Sequence, residues 1–466
     1  MGIQDQKGWD YRARLVAKGY NQIAGVNFQH NFAPVTNEVT LRILLMTWVV
    51  RDLHAEVGAI QTAFLHGDLE LFLKFPDGYK EYLSKIGEAE NSRFLRLNKS
   101  IYGLVQAARA WWKKFTGFLV KQVGFTQFEN DNCLLKKVTN QGIVYLILYV
   151  DDFLIIGNKG IVMDTMESIM NEFGTTKSDK NEDFIGCKIR RENNKTYLSK
   201  PNLIKRLSDK FGHKIQGMKE YETPAAGGAK VIRKEAVKSL ISEEAQKDYR
   251  SGVGSLLYLL KHSRPDLCNA VRELSKVMDG ANRAHEKMLF RAIKYVQSTK
   301  ERELVLEPKM ENLKWEMKAF CDSDFAGDVD ERRSVSGFII YVNGCPISWR
   351  SRGQKSVTLS STEAEYVALS EVATEILYIC SILRFLQVKQ EFPIEVHVDN
   401  VGAIYLSKNA STSNRTKHID TRYHFFASMS KQELSRSSLS ALSIIMRTFS
   451  PKTQALKFLK GWLAQS

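Results

Sequence analysis

One stretch constrains the fold more than any other part of the chain: Ile143-Val-Tyr-Leu-Ile-Leu-Tyr-Val-Asp-Asp-Phe-Leu-Ile-Ile-Gly157. Its two apolar, β-branched and aromatic runs flank Asp151 and Asp152, which predicts a β-hairpin with acids at its tip. Adjacent carboxylates repel each other, and a divalent cation, which prefers carboxylate oxygens, would offset that repulsion. A solvated Asp-rich turn is the plainer alternative. Because the acids interrupt an apolar hairpin, the pattern favours a metal site.

The composition indicates a globular protein with a polyanionic partner. The 466 residues suffice for about three domains, and 44% of them are hydrophobic. Lys plus Arg exceed Asp plus Glu by 67 − 52 = 15, and the pI is about 9.3. Such an excess within folded sequence predicts a nucleic-acid partner, with a generic basic protein as the alternative.

The cysteines and the apolar runs indicate where the protein resides. Six cysteines occur singly, with no Cys-x-x-Cys pair, which favours reduced intracellular thiols over a structural zinc site or a disulfide framework. The longest apolar runs, near 43–50 and 143–150, are shorter than a membrane span, and residues 1–10 are polar. We therefore expect an intracellular protein, cytoplasmic or nuclear, that is not secreted and has no membrane partner.

Several long motifs, in order, resemble the reverse transcriptase region of copia-type (Ty1/copia) long-terminal-repeat retrotransposon polyproteins. They are the Tyr149–Asp152 box, the basic start at 11–22 with Phe32-Ala-Pro-Val35, and Ser100-Ile-Tyr-Gly-Leu-Val-Gln-Ala-Ala-Arg-Ala-Trp-Trp112. The resemblance implies that fingers cations face the triphosphate and that an aromatic steric gate selects deoxynucleotides, although packing explains that aromatic equally well. The implied nucleotide- and template-binding residues are Arg12, Arg14, Lys18, Phe64, Tyr102, Gly103, Gln106, Arg109 and Tyr149.

The first catalytic box of this family carries an acid five residues before its aromatic, and here that position is Ala59 in Ala59-Ile-Gln-Thr-Ala-Phe-Leu-His-Gly-Asp-Leu69. The polymerase reaction needs acids from two strands to hold two metals about 3.5–4 Å apart. Glu56 lies on the opposite face of the strand from residue 59, and Asp68 lies beyond the strand. Neither replaces the acid, so Asp151 and Asp152 would be the surviving ligands and we expect poor polymerisation.

A second acidic site is predicted in the last third of the chain. Asp322 ends a strand, and Asp399 ends another at a helix start, where a plain N-cap is the alternative. Ser360 and Glu363 stand at capping-box spacing. Glu365 instead lies on the apolar stripe of the same helix, and a buried acid there needs a partner or a metal.

The order and setting of Asp322, Glu365 and Asp399 resemble a ribonuclease H fold, whose acids bind two metals that hydrolyse the RNA of a hybrid. The family's fourth acid, in an Ala-Asp-Ile-x-Thr-Lys segment, is absent. We hypothesise a frameshift after about Lys431.

The expected fold class combines α+β and α/β parts. The expected domains are fingers and palm at 1–200, a thumb or connection segment at 201–313, a ribonuclease H-like domain at 314–430, and an aberrant tail at 431–466. The resemblance implies two Mg²⁺ ions in each active site, or Mn²⁺ in their place. It implies an RNA template, a DNA primer, an RNA–DNA hybrid and deoxynucleoside triphosphates as partners, and a virus-like particle as a cytoplasmic location. The alternative is a catalytically dead, nucleic-acid-binding relic.

Overall fold

The computed structural model describes residues 14–87, 94–177, 183–233, 239–310, 314–408 and 444–448. The chain divides into two compact units. The first consists of residues 1–37 and 53–185, and the second of residues 38–52 and 186–466. The predicted fingers and palm lie mainly in the first unit, and the predicted connection and ribonuclease H-like segments lie in the second.

The elements are numbered along the chain. The helices are α1 (Glu38–Val50), α2 (Tyr79–Lys85), α3 (Ala107–Phe118), α4 (Lys159–Phe173), α5 (Pro201–Ile215), α6 (Glu243–His262), α7 (Cys268–Ser275), α8 (Arg283–Ser298), α9 (Ser361–Phe385) and α10 (Val401–Lys408). The strands are β1 (His54–Ile60), β2 (Asp68–Lys74), β3 (Phe94–Lys99), β4 (Thr126–Phe128), β5 (Asp131–Thr139), β6 (Gly142–Tyr149), β7 (Asp152–Gly157), β8 (Thr175–Lys177), β9 (Asp183–Phe184), β10 (Cys187–Glu192), β11 (Lys195–Ser199), β12 (Leu304–Leu306), β13 (Met317–Asp324), β14 (Val335–Val342), β15 (Cys345–Gly353), β16 (Ile394–Val398) and β17 (Ile444–Thr448).

The first unit is built on a six-stranded sheet in the order β4-β5-β6-β7-β1-β8. Its centre is the antiparallel hairpin β6–β7, which confirms the prediction for the Asp-Asp stretch. Residues 144–148 and 153–156 of this hairpin are buried because the apolar runs leave no polar face to water. Helices α3 and α4 contribute Trp111, Phe115 and Ile169 to the same core. Strands β2 and β3 form a separate two-stranded ribbon.

The second unit contains a helical core and a five-stranded sheet. Helices α5, α6, α7 and α8 share one cluster of buried apolar side chains. The sheet has the order β15-β14-β13-β16-β17, in which β13 pairs antiparallel with β14 and parallel with β16. Helix α9 is long and apolar enough to cross a membrane, but 67% of its most apolar window is buried, as a core helix requires. The predicted mixture of α+β and α/β architecture is confirmed.

Helix α1 belongs to the second unit, although the sequence suggested that residues 1–200 form one domain. Its Arg42 is 3% exposed. The guanidinium donates to the carbonyls of Ile347, at 2.6 Å, and Lys261, and stacks 3.8 Å from the centre of the Trp349 ring. Burial lowers the pKa of Arg42 to about 10, so the group stays charged at neutral pH. A sequence reading cannot anticipate bonds between residues this far apart along the chain.

Two further boundaries need correction. The first unit ends at residue 185, before the predicted limit at 200, because the chain from residue 186 onward packs within the second unit. The five-stranded sheet also does not stop at residue 430. Strand β17 pairs in parallel with β16 over its whole length, from Ile394 opposite Ile444 to Val398 opposite Thr448. The segment 444–448 of the predicted aberrant tail is therefore part of the sheet, and the rest of that tail lies outside the described residues.

Candidate metal and nucleotide sites

Residue 59 lies beside the Asp-Asp turn. Strand β1 pairs antiparallel with β7 in a register that places Ala59 directly opposite Asp152. The backbone N–H of Ile60 donates to the carbonyl of Asp151 at 2.9 Å. Side chains of directly opposed residues lie about 4.5–5.5 Å apart at Cβ. A carboxylate at position 59 would thus lie next to Asp152, and the methyl group of Ala59 leaves this side of the pair without an acid.

Helix α3 forms a hydrogen bond to the turn between β6 and β7 through Trp111. Val150 adopts a left-handed conformation with φ +57°, which a β-branched residue rarely adopts. The indole N–H of Trp111 donates to the Val150 carbonyl at 2.6 Å. Burial, and then the negative charge of Asp151, raises the pKa of Asp152 to about 6. The turn therefore presents two acids in an arrangement that a cation would stabilise.

Neither neighbouring acid replaces the one missing at residue 59. Glu56 accepts a bond from His54 at 2.9 Å and pairs opposite Ile155, away from the turn. Asp68 begins β2 in the separate ribbon and forms ion pairs with Lys99 and, at 3.1 Å, with Lys114. These lysines, Lys99 first, lower the pKa of Asp68.

The residues predicted to contact the nucleotide fall into two groups. In the first, Phe64 and Tyr102 bring their ring centres to 5.1 Å, and the guanidinium of Arg14 lies 5.1 Å above the Tyr102 ring. Gly103 has φ +89°, and a Cβ there would lie 2.1 Å from the carbonyl oxygen of Ala17. The glycine is thus required by a close approach within the protein. Phe64 also packs against the core, so both of its proposed roles stay open.

The second group consists of polar side chains engaged inside the protein. Gln106 is buried, accepts from the amide of Gln22 at 3.0 Å and donates to the carbonyl of Asn27. Arg109 donates to the carbonyl of Phe32 at 2.7 Å. These contacts join the 22–32 segment to α3. Gln106 is buried, whereas Arg109 is half-exposed. Their prediction as nucleotide or template ligands gains no support from this geometry.

The remaining positions predicted to bind nucleotide or template are Lys18, Tyr149 and Arg12. Lys18 is exposed, and Tyr149 is half-buried at the end of β6, opposite Asp152. Arg12 lies outside the described residues.

The three acids predicted in the last third of the chain converge. Asp322 is in β13, Glu365 in the second turn of α9, and Asp399 directly follows β16, the parallel neighbour of β13. One carboxylate oxygen of each lies within 4.8 Å of those of the other two. Because β13 and β16 run in parallel, their carboxyl ends meet at one edge of the sheet. A set of three carboxylates is the donor type that Mg²⁺ or Mn²⁺ prefers.

Glu365 is the most constrained of the three acids. It is 4% exposed, and its Oε1 accepts bonds from the backbone N–H and the hydroxyl of Ser323, both at 2.8 Å. Its Oε2 is also buried and has no hydrogen-bond partner among the described residues. Burial, together with the charges of Asp322 and Asp399, raises the pKa of Glu365 from 4.5 to about 8. The unpartnered oxygen fits a site for a cation.

Two neighbouring polar residues have purely structural roles. Asn400 caps α10, with its side-chain oxygen accepting from the N–H of Ala403 at 3.0 Å. Asp399 is therefore not the cap of that helix. Ser360 caps α9 by accepting from the N–H of Glu363 at 3.2 Å, which is the first bond of the predicted capping box. The Glu363 carboxylate accepts from the N–H of Leu359, one residue before the cap, and not from Ser360 itself.

Sequence reasoning missed Ser323, which orients Glu365, and Trp111, which holds the Val150 turn. The only local signal for Ser323 is its place beside Asp322. Its partner Glu365 lies 42 residues further along the chain.

Comparison with known proteins indicates the family of the chain. The family model described as "Reverse transcriptase (RNA-dependent DNA polymerase)" matches residues 2–225. The chain is 34% identical over 431 residues to the Retrovirus-related Pol polyprotein from transposon TNT 1-94 of Nicotiana tabacum, covering 91% of this chain and 31% of that protein. It is 34% identical over 423 residues to the Pol polyprotein from transposon RE2 of Arabidopsis thaliana, covering 89% and 28%.

The chain belongs to the reverse transcriptase family of copia-type retrotransposon polyproteins. It spans about a third of the length of the curated relatives it matches. Among solved structures, a foamy viral protease-reverse transcriptase in complex with dsDNA matches 85% of this chain and 68% of that chain, with 10% identity and a TM-score of 0.18. A likeness at that score is too weak to support any conclusion.

Proposed function

We propose that the acid cluster of the second unit binds divalent cations and hydrolyses the RNA strand of an RNA–DNA hybrid. The observation that supports it most is the convergence of Asp322, Glu365 and Asp399 to within 4.8 Å at one sheet edge. Their order, and their placement on a strand, a helix and the end of a parallel strand, match the ribonuclease H arrangement expected from the sequence. Mg²⁺ bound there would activate water and neutralise charge on the scissile phosphate.

The protein's own groups prepare the site in three ways. Ser323 fixes the direction of the Glu365 carboxylate through two bonds to Oε1. Burial keeps a proton on Glu365 at neutral pH until a cation neutralises the cluster. Asp399 is exposed, so a hybrid backbone can reach the cluster from that side.

The test is cleavage of an end-labelled RNA–DNA hybrid during a Mg²⁺ titration. Asp322→Asn should lower the rate by roughly 100-fold. Removing one anionic ligand weakens binding of the metal, and less charge on the scissile phosphate is then neutralised. Asp324→Asn is the matched control, since that acid is paired with Lys230 at 3.2 Å. Equal rates for the wild type and Asp322→Asn at every Mg²⁺ concentration would refute the proposal.

For the first unit, the proposal is an RNA-directed DNA polymerase impaired in this copy. Ala59 opposite Asp152 supports it, because the position that would supply the second strand's acid carries a methyl group. Ala59→Asp should raise Mg²⁺-dependent primer extension on an RNA template by at least about 10-fold, the lower end of the effects seen around metal sites. Ala59→Asn, of equal size but uncharged, should not. Synthesis by the wild type equal to that of Ala59→Asp would contradict the impairment.

The competing function is a relic that binds nucleic acid without turnover. The net charge of +15 favours binding of some polyanion under either reading. Salt-dependent binding of the hybrid, combined with neither Mg²⁺-dependent synthesis nor Mg²⁺-dependent cleavage, would select the relic.

A further inference from the structure

A row of residues crosses three strands next to the acid cluster. Ser323 on β13 lies opposite Ser336 on β14, which lies opposite Arg352 on β15. Directly opposed residues of antiparallel strands share one face of the sheet. Ser323 donates its hydroxyl to Glu365, so this is the face on which Glu365 lies. At about 4.8 Å per strand, the backbone of Arg352 is about 10 Å from that of Ser323.

The segment that carries Arg352 is fixed to the beginning of α9. Gln354 is 1% exposed, and its amide donates to the Ser336 hydroxyl and to the carbonyl of Ala364, both at 2.9 Å. Its backbone N–H donates to the carbonyl of Ser334 at 2.8 Å. Ala364 directly precedes Glu365. Arg352 and Lys355, on either side of Gln354, are therefore carried by a segment fixed to the helical turn that carries the acid.

Both cations are available to an external anion. Arg352 and Lys355 are exposed, and neither forms an ion pair with any acid in the described ranges. Arg350, by contrast, lies 3.7 Å from Glu375. The field of all three cations reaches Glu371 on α9, where it opposes the rise in pKa caused by burial. An acid cluster repels a polyanion, and flanking unpaired cations offset that repulsion.

We propose that Arg352 and Lys355 bind backbone phosphates of the RNA–DNA hybrid close to the scissile phosphate. This inference rests on the proposed hydrolysis at Asp322, Glu365 and Asp399. Phosphates of one strand follow each other by about 3.4 Å along the duplex axis, so the two side chains would contact phosphates within a few nucleotides of the scissile one. The two side chains position the substrate and take no part in the chemistry.

The experiment compares the full chain with a variant carrying both Arg352→Gln and Lys355→Gln. Hybrid cleavage should show a KM raised about 10-fold with kcat within about two-fold, because binding is lost in the ground and transition states alike. The slope of log affinity against log salt should become shallower by about 1.4–1.8, which is two phosphate contacts. Arg384→Gln is the matched control, an exposed arginine about 28 Å along α9 from Glu365. It should behave as wild type.

Binding of the same hybrid in Ca²⁺ without turnover separates the two proposals. If the wild type fails to cleave, the proposed hydrolysis is wrong, while the salt slope of binding still reports on the two cations. An unchanged slope in the double variant would overturn the phosphate contacts, and so would a loss confined to kcat. Arg352→Lys keeps the charge and should retain most of the affinity. A loss as large as that of Arg352→Gln would show that the charge is not what binds.

Discussion

Glu365 is a poor residue for stability and a good one for binding a cation. Its carboxylate is buried beside Asp322 and Asp399, and one oxygen has no partner among the described residues. Burying an unpaired charge is costly, so the metal-free protein holds this group protonated. The pKa of Glu365 is about 4.5 in the unfolded chain, whereas burial and the neighbouring acids raise this pKa to about 8 in the folded protein. This difference links the stability of the metal-free protein to pH.

We predict that the metal-free protein loses stability as pH rises from about 4.5 to about 8. The sign follows from proton binding: between those pH values the folded state keeps a proton that the unfolded state has released, so raising the pH favours unfolding. Each unit of pKa difference is worth about 1.4 kcal/mol, which amounts to a few kcal/mol in all. Urea unfolding in EDTA at several pH values measures it.

Glu365→Gln is the control for this linkage. The amide is nearly isosteric but does not titrate, so most of the decline in stability with pH should disappear. Mg²⁺ should also flatten the decline in the wild type, since a bound cation favours the ionised carboxylate. A wild-type curve that rises over this range, or that matches the Glu365→Gln curve, would contradict the linkage.

At this scale the sequence is informative wherever a residue carries a local signature. Asp322 ends an apolar strand, Glu365 interrupts an apolar helical stripe, and Asp399 follows a short strand, so each can be singled out from its neighbours. Ser323 and Asn400 cannot, because their roles depend on what else occupies the space: Asn400 caps α10 and thereby relieves Asp399 of that role. The contacts of Gln106 cannot be anticipated for the same reason, since its bonds reach residues 22 and 27.

At the level of elements, helix α3 stabilises the tip of the β6–β7 hairpin through Trp111. Trp111 stacks on Phe115 with ring centres 5.1 Å apart and donates to the carbonyl of Val150. The neighbouring Trp112 offers a contrast, because its buried indole N–H has no partner among the described residues. The two tryptophans therefore differ in whether the polar end of the ring is used.

We predict that Trp111→Phe destabilises the protein by about 1 kcal/mol or somewhat more, since the Val150 carbonyl loses its donor while most ring contacts persist. Trp112→Phe should be neutral or slightly stabilising, because it removes a buried donor without a bond. Chemical denaturation of the two variants side by side measures the difference. Equal losses would mean that the Trp111 bond to the turn contributes nothing.

The sequence predicts helices and strands correctly where the apolar periodicity is strong. It does not predict to which unit an element belongs when that depends on contacts with distant residues. The hairpin and helix α9 follow from their apolar spacing. Helix α1 is equally apolar, yet its place in the second unit is set by Arg42, whose bonds reach Lys261 and Ile347. Nothing near residue 42 indicates those carbonyls.

For the whole molecule, the decisive element is the last described strand. Strand β17 pairs with β16, the strand that leads into Asp399, and so covers what would otherwise be an open edge beside the acid cluster. Met446 is 9% exposed, and its sulfur accepts from the hydroxyl of Ser407 on α10 at 2.9 Å. A segment that was foreign to the fold would not be expected to supply both a paired backbone and a buried side chain.

We therefore predict that ending the chain at residue 430 destabilises the second unit and weakens Mg²⁺-dependent hybrid cleavage, because it exposes the β16 edge next to Asp399. Met446→Ala should act in the same direction by about 2 kcal/mol, the lower end for a buried methionine, since the site lies at the sheet edge. Urea unfolding and hybrid cleavage of both variants measure this. If residues 431–466 were an unpaired addition, both changes would be neutral, and the sheet would have to end at β16.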